Sequence, residues 1–242
     1  MPETRQGALP RELEACAWFA DGTRDGDLVP LADFTRHRMA KAMRQAAVLL
    51  DEQAPNEVRS RGSWLQTYTG RQFFPMDPDP AEVDIADIAH ALSLLCRYNG
   101  HVRRFYSVAE HCVLVSRVVP PKHALWGLLH DATEAYVGDM VRPLKNHMPA
   151  YRQAEDRVMV AIATHFGISP KMPGEVGAAD TRLLLDERAA LLGEPPAQWA
   201  VEGEPYGVGV EAWSPERAEA EYLARFEELT MVARVTTGEE AP

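Results

Sequence analysis

Two histidines and two aspartates in this chain have the types and order of a single cation site: His111, the adjacent pair His130-Asp131, and Asp180. Imidazole and carboxylate make a mixed nitrogen and oxygen donor set suited to Mn²⁺, Co²⁺, Fe²⁺, Ni²⁺, Zn²⁺ or Mg²⁺. Four protein ligands leave positions open for water and a substrate oxygen, which is what metal-assisted hydrolysis needs. His130-Asp131 closes a strongly apolar stretch that includes Leu125, Trp126, Leu128 and Leu129. An ionisable pair buried there is costly unless compensated, and a divalent cation compensates imidazole plus carboxylate best. Glu134 follows four residues after His130 and three after Asp131, a helical spacing that sets a further carboxylate beside the two ligands as a nearby base. A lone histidine is more often structural than a ligand; the combination is what carries chemistry. His90, His101, His123, His147 and His165 lack such partners and read as structural or surface residues. Cys112, beside His111, reads as a small buried hydrophobe.

The elements that must position these residues read as helices. Ile85, Ile88, Ala89, Leu92, Leu95 and Cys96 recur at three- and four-residue steps, and Asn99-Gly100 supplies a stop. A second helix starts near Ser107, with Glu110 at the capping-box position, and ends at Pro120-Pro121. A third, from about Lys122 to Tyr136, is apolar over most of its surface and is expected to be the central one, stopping near Gly138. Further helices are expected over roughly Pro149 to Phe166, Pro173 to Leu192, and Pro215 to Val232 with Ser214 as cap. Trp64 to Pro80 reads as a structured loop or short hairpin, and Gly193 to Trp213 as a long surface loop. The class is all-α: an N-terminal extension over 1–63 with a helix from Asp33 to Leu50, a core over 64–192, and a loop with a C-terminal helix over 193–242.

Helix-borne H…HD…D, as His111, His130-Asp131 and Asp180, resembles the HD-domain metal-dependent phosphohydrolases. The stretches Tyr106 to His111, Leu129 to Ala135 and Gly138-Asp139-Met140, with Pro143 and Lys145, look like the branch containing deoxynucleoside 5′-monophosphatases. Trp64 to Arg71 and the segment from Asp84 to Gly100 are similar to phage-type members, among them dATP triphosphohydrolases. The resemblance covers roughly 64–192 and implies an HD-domain helical bundle binding a divalent metal. It implies that His111, His130, Asp131 and Asp180 ligate the ion, that Glu134 positions or deprotonates water, and that Asp139 orients the site and assists proton transfer. Ala135 stands where the alarmone hydrolases carry an acidic residue, which counts against that activity. The extra histidines of the two-metal cyclic-dinucleotide phosphodiesterases are not evident either. The expected substrate is a deoxynucleotide, with a triphosphate slightly favoured over a monophosphate; a non-catalytic nucleotide- or metal-binding module is the alternative of another class.

Anion handling would fall to Arg97, Arg103, Arg104, Arg71, Arg142 and Lys145, since guanidinium groups suit bidentate phosphate contact. Trp64, Tyr68 and Phe105 could stack on a base and Gln66 could read its edge. The formal charge of −11 argues against broad binding to a nucleic-acid backbone. Hydrophobic residues at 46% and charged residues at 25% are ordinary for a globular protein. Three scattered cysteines suggest neither a disulfide framework nor a thiolate zinc site. With no membrane-length apolar run and no export signal, a cytoplasmic location is expected. HD relatives often pair through helices, so a homo-oligomer is compatible with this reading, and the loop from Trp199 to Trp213 could serve as interface or lid.

Overall fold

A computed structural model describes residues 61–237, with side chains as far as Met231; they lie within one compact unit, Arg61–Pro242. The helix expected over Asp33 to Leu50 falls outside the described residues. Within them the fold is all-α, apart from a two-strand antiparallel hairpin, β1 (Leu65–Gln66) and β2 (Gln72–Phe73). No described helix is long and apolar enough to cross a membrane. The hairpin is pinned to the first helix, α1 (Ile85–Leu94), where Thr69 donates from its backbone N–H (2.6 Å) and hydroxyl (3.0 Å) to buried Asp87.

Helix α1 starts under an Asp84 cap and buries Ile88, Ala89 and Leu92, the stripe its periodicity requires. It ends earlier than expected. Leu95 and Cys96 leave the helix in extended conformation, and Cys96 bridges antiparallel to Ser107. The closed loop between them carries a tight turn over Arg97–Gly100, where Tyr98, Asn99 and Gly100 adopt φ of 58°, 52° and 77°. Left-handed backbone at two consecutive non-glycine residues is held by its surroundings rather than by preference. Here it turns Arg97 and Tyr98 into the interior.

Helix α2 (Val108–Val118) begins at Ser107, whose hydroxyl accepts the Glu110 N–H at 3.1 Å, and is buried from Val108 through Ser116. This helix, not the next, occupies the centre, with α1 and the following elements packed around it. The expected continuous helix from Lys122 to Tyr136 is a 3-10 turn (Pro121–His123), α3 (Ala124–Leu129), a turn, and α4 (Glu134–Val137). At the interruption the Gly127 carbonyl accepts from the His130 ring, Nδ1 donating at 2.8 Å. The backbone tightens to three-residue hydrogen bonds, Ala132 to Leu129 and Glu134 to Asp131, through the His130-Asp131 step. Gly127 also sets the approach of α3 to α2: a Cβ there would lie 2.9 Å from the Ser116 Cα.

After Gly138 come α5 (Arg142–Lys145), α6 (Pro149–His165) and α7 (Gly174–Leu191). The 192–214 segment that follows has no helix or strand, yet it is tied down as a strap. Asp186 accepts the N–H groups of Tyr206, Gly207 and Val208, and Glu110 accepts those of Glu211, Ala212 and Trp213. Left-handed Gly207 and Ala212 aim successive N–H groups at each carboxylate, the geometry of an anion nest. Glu110 therefore serves the strap, while Ser107 caps α2 without a reciprocal bond from the Glu110 side chain. Helix α8 (Pro215–Thr237) packs across α1, α2 and α3, with Tyr222 fully buried and donating to the Leu128 carbonyl at 2.9 Å. Trp126 packs among Leu114, Val115 and Leu183 and donates its indole N–H to Ser169.

Candidate metal centre

Helix α2 supplies His111, the turn after α3 supplies His130 and Asp131, α4 opens with Glu134, and α7 brings Asp180. The ligand atoms of His111, His130 and Asp131 lie within 4.8 Å of one another, a group that could hold a metal ion. Asp180 joins them, its Oδ1 lying 3.2 Å from His111 Nε2 and 3.9 Å from His130 Nε2. Asp131 Oδ2 stands 3.2 Å from His130 Nε2 and 3.7 Å from His111 Nε2. Three of the four expected ligand residues, His111, His130 and Asp131, meet at one point, and Asp180 approaches both imidazoles beside them.

The outer nitrogen of each ring decides what the inner one offers. His130 Nδ1 faces a carbonyl oxygen, which can only accept, so Nδ1 carries a proton. His111 Nδ1 lies 2.5 Å from Oε1 of Glu187, a fully buried carboxylate. Burial works against the ionised form of Glu187, but Arg97 and His111 outweigh it and hold its pKa near about 2. As an anion it accepts, so His111 Nδ1 is also the protonated nitrogen. The two Nε2 atoms face each other at 3.2 Å. Burial opposes the charged form of His130, but Asp131 outweighs it and raises its pKa well above the ordinary histidine value, so the space between the rings and Asp131 calls for a positive charge, as a proton or as a cation. Two imidazole nitrogens and a carboxylate oxygen within 4.8 Å of one another are a donor set that fits a cation.

Arg97 is drawn into the same centre, with Nη1 3.1 Å from Asp131, Nη2 3.9 Å from Asp180 and Nε 3.6 Å from Glu187. Burial opposes the ionised form of Asp131, yet His130 and Arg97 hold its pKa well below the usual carboxylate range. Asp180 is likewise lowered to about 2, with burial opposed by His111. Asp131 and Asp180 thus stand as two ionised carboxylates at the cluster, with Arg97 on the first and Arg142 on the second.

Glu134 is buried, and its Oε2 has no hydrogen-bond partner among the described residues. Burial, with repulsion from Asp131 and Asp139, raises its pKa well above the ordinary glutamate value. Asp139 is half-buried, and its pKa is raised by burial and by Asp131 against Arg97 and Lys145. Lys145 pairs with Glu155 at 2.7 Å and also feels Glu134 and Asp131. The remaining candidate substrate contacts carry no described bond to the cluster. Arg71 pairs with Asp84 at 3.0 Å, Arg104 donates to the Glu211 carbonyl at 3.2 Å, Arg103 is exposed beside Gly193, and Gln66 is exposed on β1. Tyr68 stacks on His90 with ring centroids 3.6 Å apart, and Trp64 is half-exposed.

Sequence reasoning missed Glu187 and the hydroxyls of Tyr98 and Tyr106; Arg142 is among the expected anion-handling residues. Arg142 reaches Asp180 at 3.4 Å from α5. A signal for Glu187 was present: it lies seven residues, about two helical turns, after Asp180 on α7, hence on the same face. It was masked by the charged run Asp186-Glu187-Arg188, which resembles a solvated face.

Fold and site together define an all-α protein that gathers two imidazoles and a carboxylate into a group that could hold a metal ion, with a second carboxylate, Asp180, beside it. No protein-family model matches the chain. It is 37% identical over 171 residues to the uncharacterized protein YfdR of Escherichia coli, an overlap covering 69% of this chain and 96% of YfdR. An uncharacterized protein of Rhodobacter capsulatus is 35% identical over 133 residues, 49% of this chain and 68% of that one. The chain belongs to the family that includes YfdR.

Proposed function

We propose that the protein is a metal-dependent phosphohydrolase whose substrate is a nucleotide, with deoxynucleoside triphosphates the first class to test and monophosphates the second. The observation that carries this reading is the convergence of the His111 and His130 Nε2 atoms, 3.2 Å apart, with Asp131 and Asp180 flanking them. His111, His130, Asp131 and Asp180 would hold the ion. A divalent cation there supplies Lewis acidity toward a phosphoryl oxygen and toward water. The rest is done by side chains. Glu134, buried with one oxygen free of partners among the described residues, takes the proton of the attacking water. Asp139 lies within electrostatic reach of Asp131 and supports that proton's departure. Lys145 and Arg142, from the α5 segment, offer positive charge to the anionic substrate beside the cluster. The HD-like sequence pattern described above supports the same chemistry.

The test is to load purified protein with Mn²⁺, Co²⁺ or Mg²⁺ and supply deoxy- and ribonucleoside mono- and triphosphates. Released phosphate or triphosphate is then identified. Turnover with one class of nucleotide is expected. Nucleotide binding with no turnover under any of these metals would overturn the hydrolase reading and leave a binding module.

A further inference from the structure

The site described so far ends at atoms that face the cation point. Behind His111 stands a second layer made by residues from three separated stretches of chain. Glu187 is the hub: its Oε1 accepts from His111 Nδ1 at 2.5 Å and from the Tyr106 hydroxyl at 2.9 Å, while its Oε2 accepts from the Tyr98 hydroxyl at 2.5 Å and lies 3.6 Å from Arg97 Nε. Its side chain is fully buried. A carboxylate in such a place is retained only when its lone pairs are filled, and here two hydroxyls, an imidazole and a guanidinium surround it. The cost of assembly is visible in the backbone, because Tyr98 reaches Glu187 from a left-handed residue.

We propose that Glu187 is the positioning residue of the metal centre, fixing His111 as the Nδ1–H tautomer so that Nε2 offers its lone pair to the cation. This rests on the functional reading above only in taking the cluster as a metal site. Free imidazole exchanges its proton between two nitrogens and its ring turns about the Cβ–Cγ bond. A carboxylate on Nδ1 removes both freedoms and makes Nε2 a stronger donor. His130 is fixed through the Gly127 carbonyl, a neutral acceptor that cannot be substituted by mutation. Glu187 is therefore the point at which ligand orientation can be altered without touching a ligand. The tyrosine hydroxyls hold the carboxylate in turn: with both donating, each carboxylate oxygen is tied and Oε1 stays directed at His111.

Two measurements on the full chain test this. In metal-free protein, ¹⁵N–¹H correlation through two and three bonds reads which ring nitrogen of His111 bears the proton. Nδ1–H is expected, and a wild-type His111 protonated on Nε2 would overturn the assignment. Competition of Mn²⁺ against a chelator then compares wild type with Glu187→Gln, which keeps the volume but removes the charge and replaces one accepting oxygen with a donating NH2. A role confined to packing leaves affinity unchanged. Positioning predicts Mn²⁺ binding weaker by about 10- to 100-fold, the usual effect of losing a group behind a ligand, with thermal unfolding of the metal-free protein little altered. Should Glu187→Gln fail to fold, the wild-type tautomer still decides. Equal Mn²⁺ affinity in the two proteins sinks the role of Glu187. Absence of Mn²⁺ binding in wild type sinks instead the metal-site reading beneath it, so the two failures are distinguishable.

Discussion

Asp131 is the residue on which most of the cluster's electrostatics converge. It stands against His130 at 3.2 Å and Arg97 at 3.1 Å, and with Asp180 it forms the anionic half of the donor set. Asp131→Ala removes that charge while leaving Arg97 positive beside the site. Metal retention is expected to be abolished, as read by elemental analysis after gel filtration; full metal content would refute the ligand assignment. Glu134→Gln separates holding from chemistry. It preserves the four ligands and removes only the proton acceptor, so metal content should persist while turnover falls by about 10²- to 10⁴-fold. Loss of metal in that variant would instead make Glu134 a ligand.

At the scale of elements, the close contact between α2 and α3 determines whether His111 and His130 can share one ion. Gly127 permits it: a methyl group there would meet the Ser116 Cα at 2.9 Å and Val119 Cγ2 at 3.1 Å. Gly127→Ala is expected to cost about 1–3 kcal/mol in urea unfolding, as overpacking does, and to weaken metal binding because the ligand helices are wedged apart. A variant as stable and as metal-avid as wild type would show the contact to be slack. The helices themselves were legible, since α1, α2, α6 and α7 follow their apolar stripes and caps. Their interruptions were not. Nothing in the periodicity of Leu128-Leu129-His130-Asp131 says that a histidine ring will claim the Gly127 carbonyl, nor does Leu95-Cys96 announce a bridge to Ser107. Both are tertiary choices made where the chain must aim polar groups inward. The same holds at the site: His111, His130, Asp131 and Asp180 were readable from residue type and order, whereas Glu187 acts through another side chain and left only an ambiguous charged triplet. Glu110 fitted a capping box by spacing, yet it serves three N–H groups roughly a hundred residues away.

For the whole molecule, α8 and net charge matter most. Tyr222 is fully buried between α8 and the helices beneath it and donates to the Leu128 carbonyl, one residue before the end of α3. Tyr222→Ala should destabilise the protein by about 3–5 kcal/mol, the range for deleting a buried ring, measured by urea unfolding; a loss below about 1 kcal/mol would mean that α8 contributes little to the core. The charge of −11 gives a different expectation. If the proposed function holds, a nucleotide approaching the protein would be repelled by this field, whose reach salt shortens from about 30 Å at 0.01 M to about 8 Å at 0.15 M. With the metal saturating, kcat/KM for an anionic substrate should rise with ionic strength over that interval. A steep fall would indicate that local cations around the site dominate its approach.

The bonds from Glu110 to Glu211, Ala212 and Trp213 also have a meaning in time. A polypeptide emerges from the ribosome N-terminal end first, at about 5–20 residues per second. When His111 has been made, the carboxylate next to it has no backbone to receive, and the residues that will satisfy it are a hundred positions from being synthesised. Asp180 and Glu187 also arrive late. When α2 is complete the chain therefore still lacks Asp180 and Glu187, and the full cluster can assemble only after α7 has been synthesised.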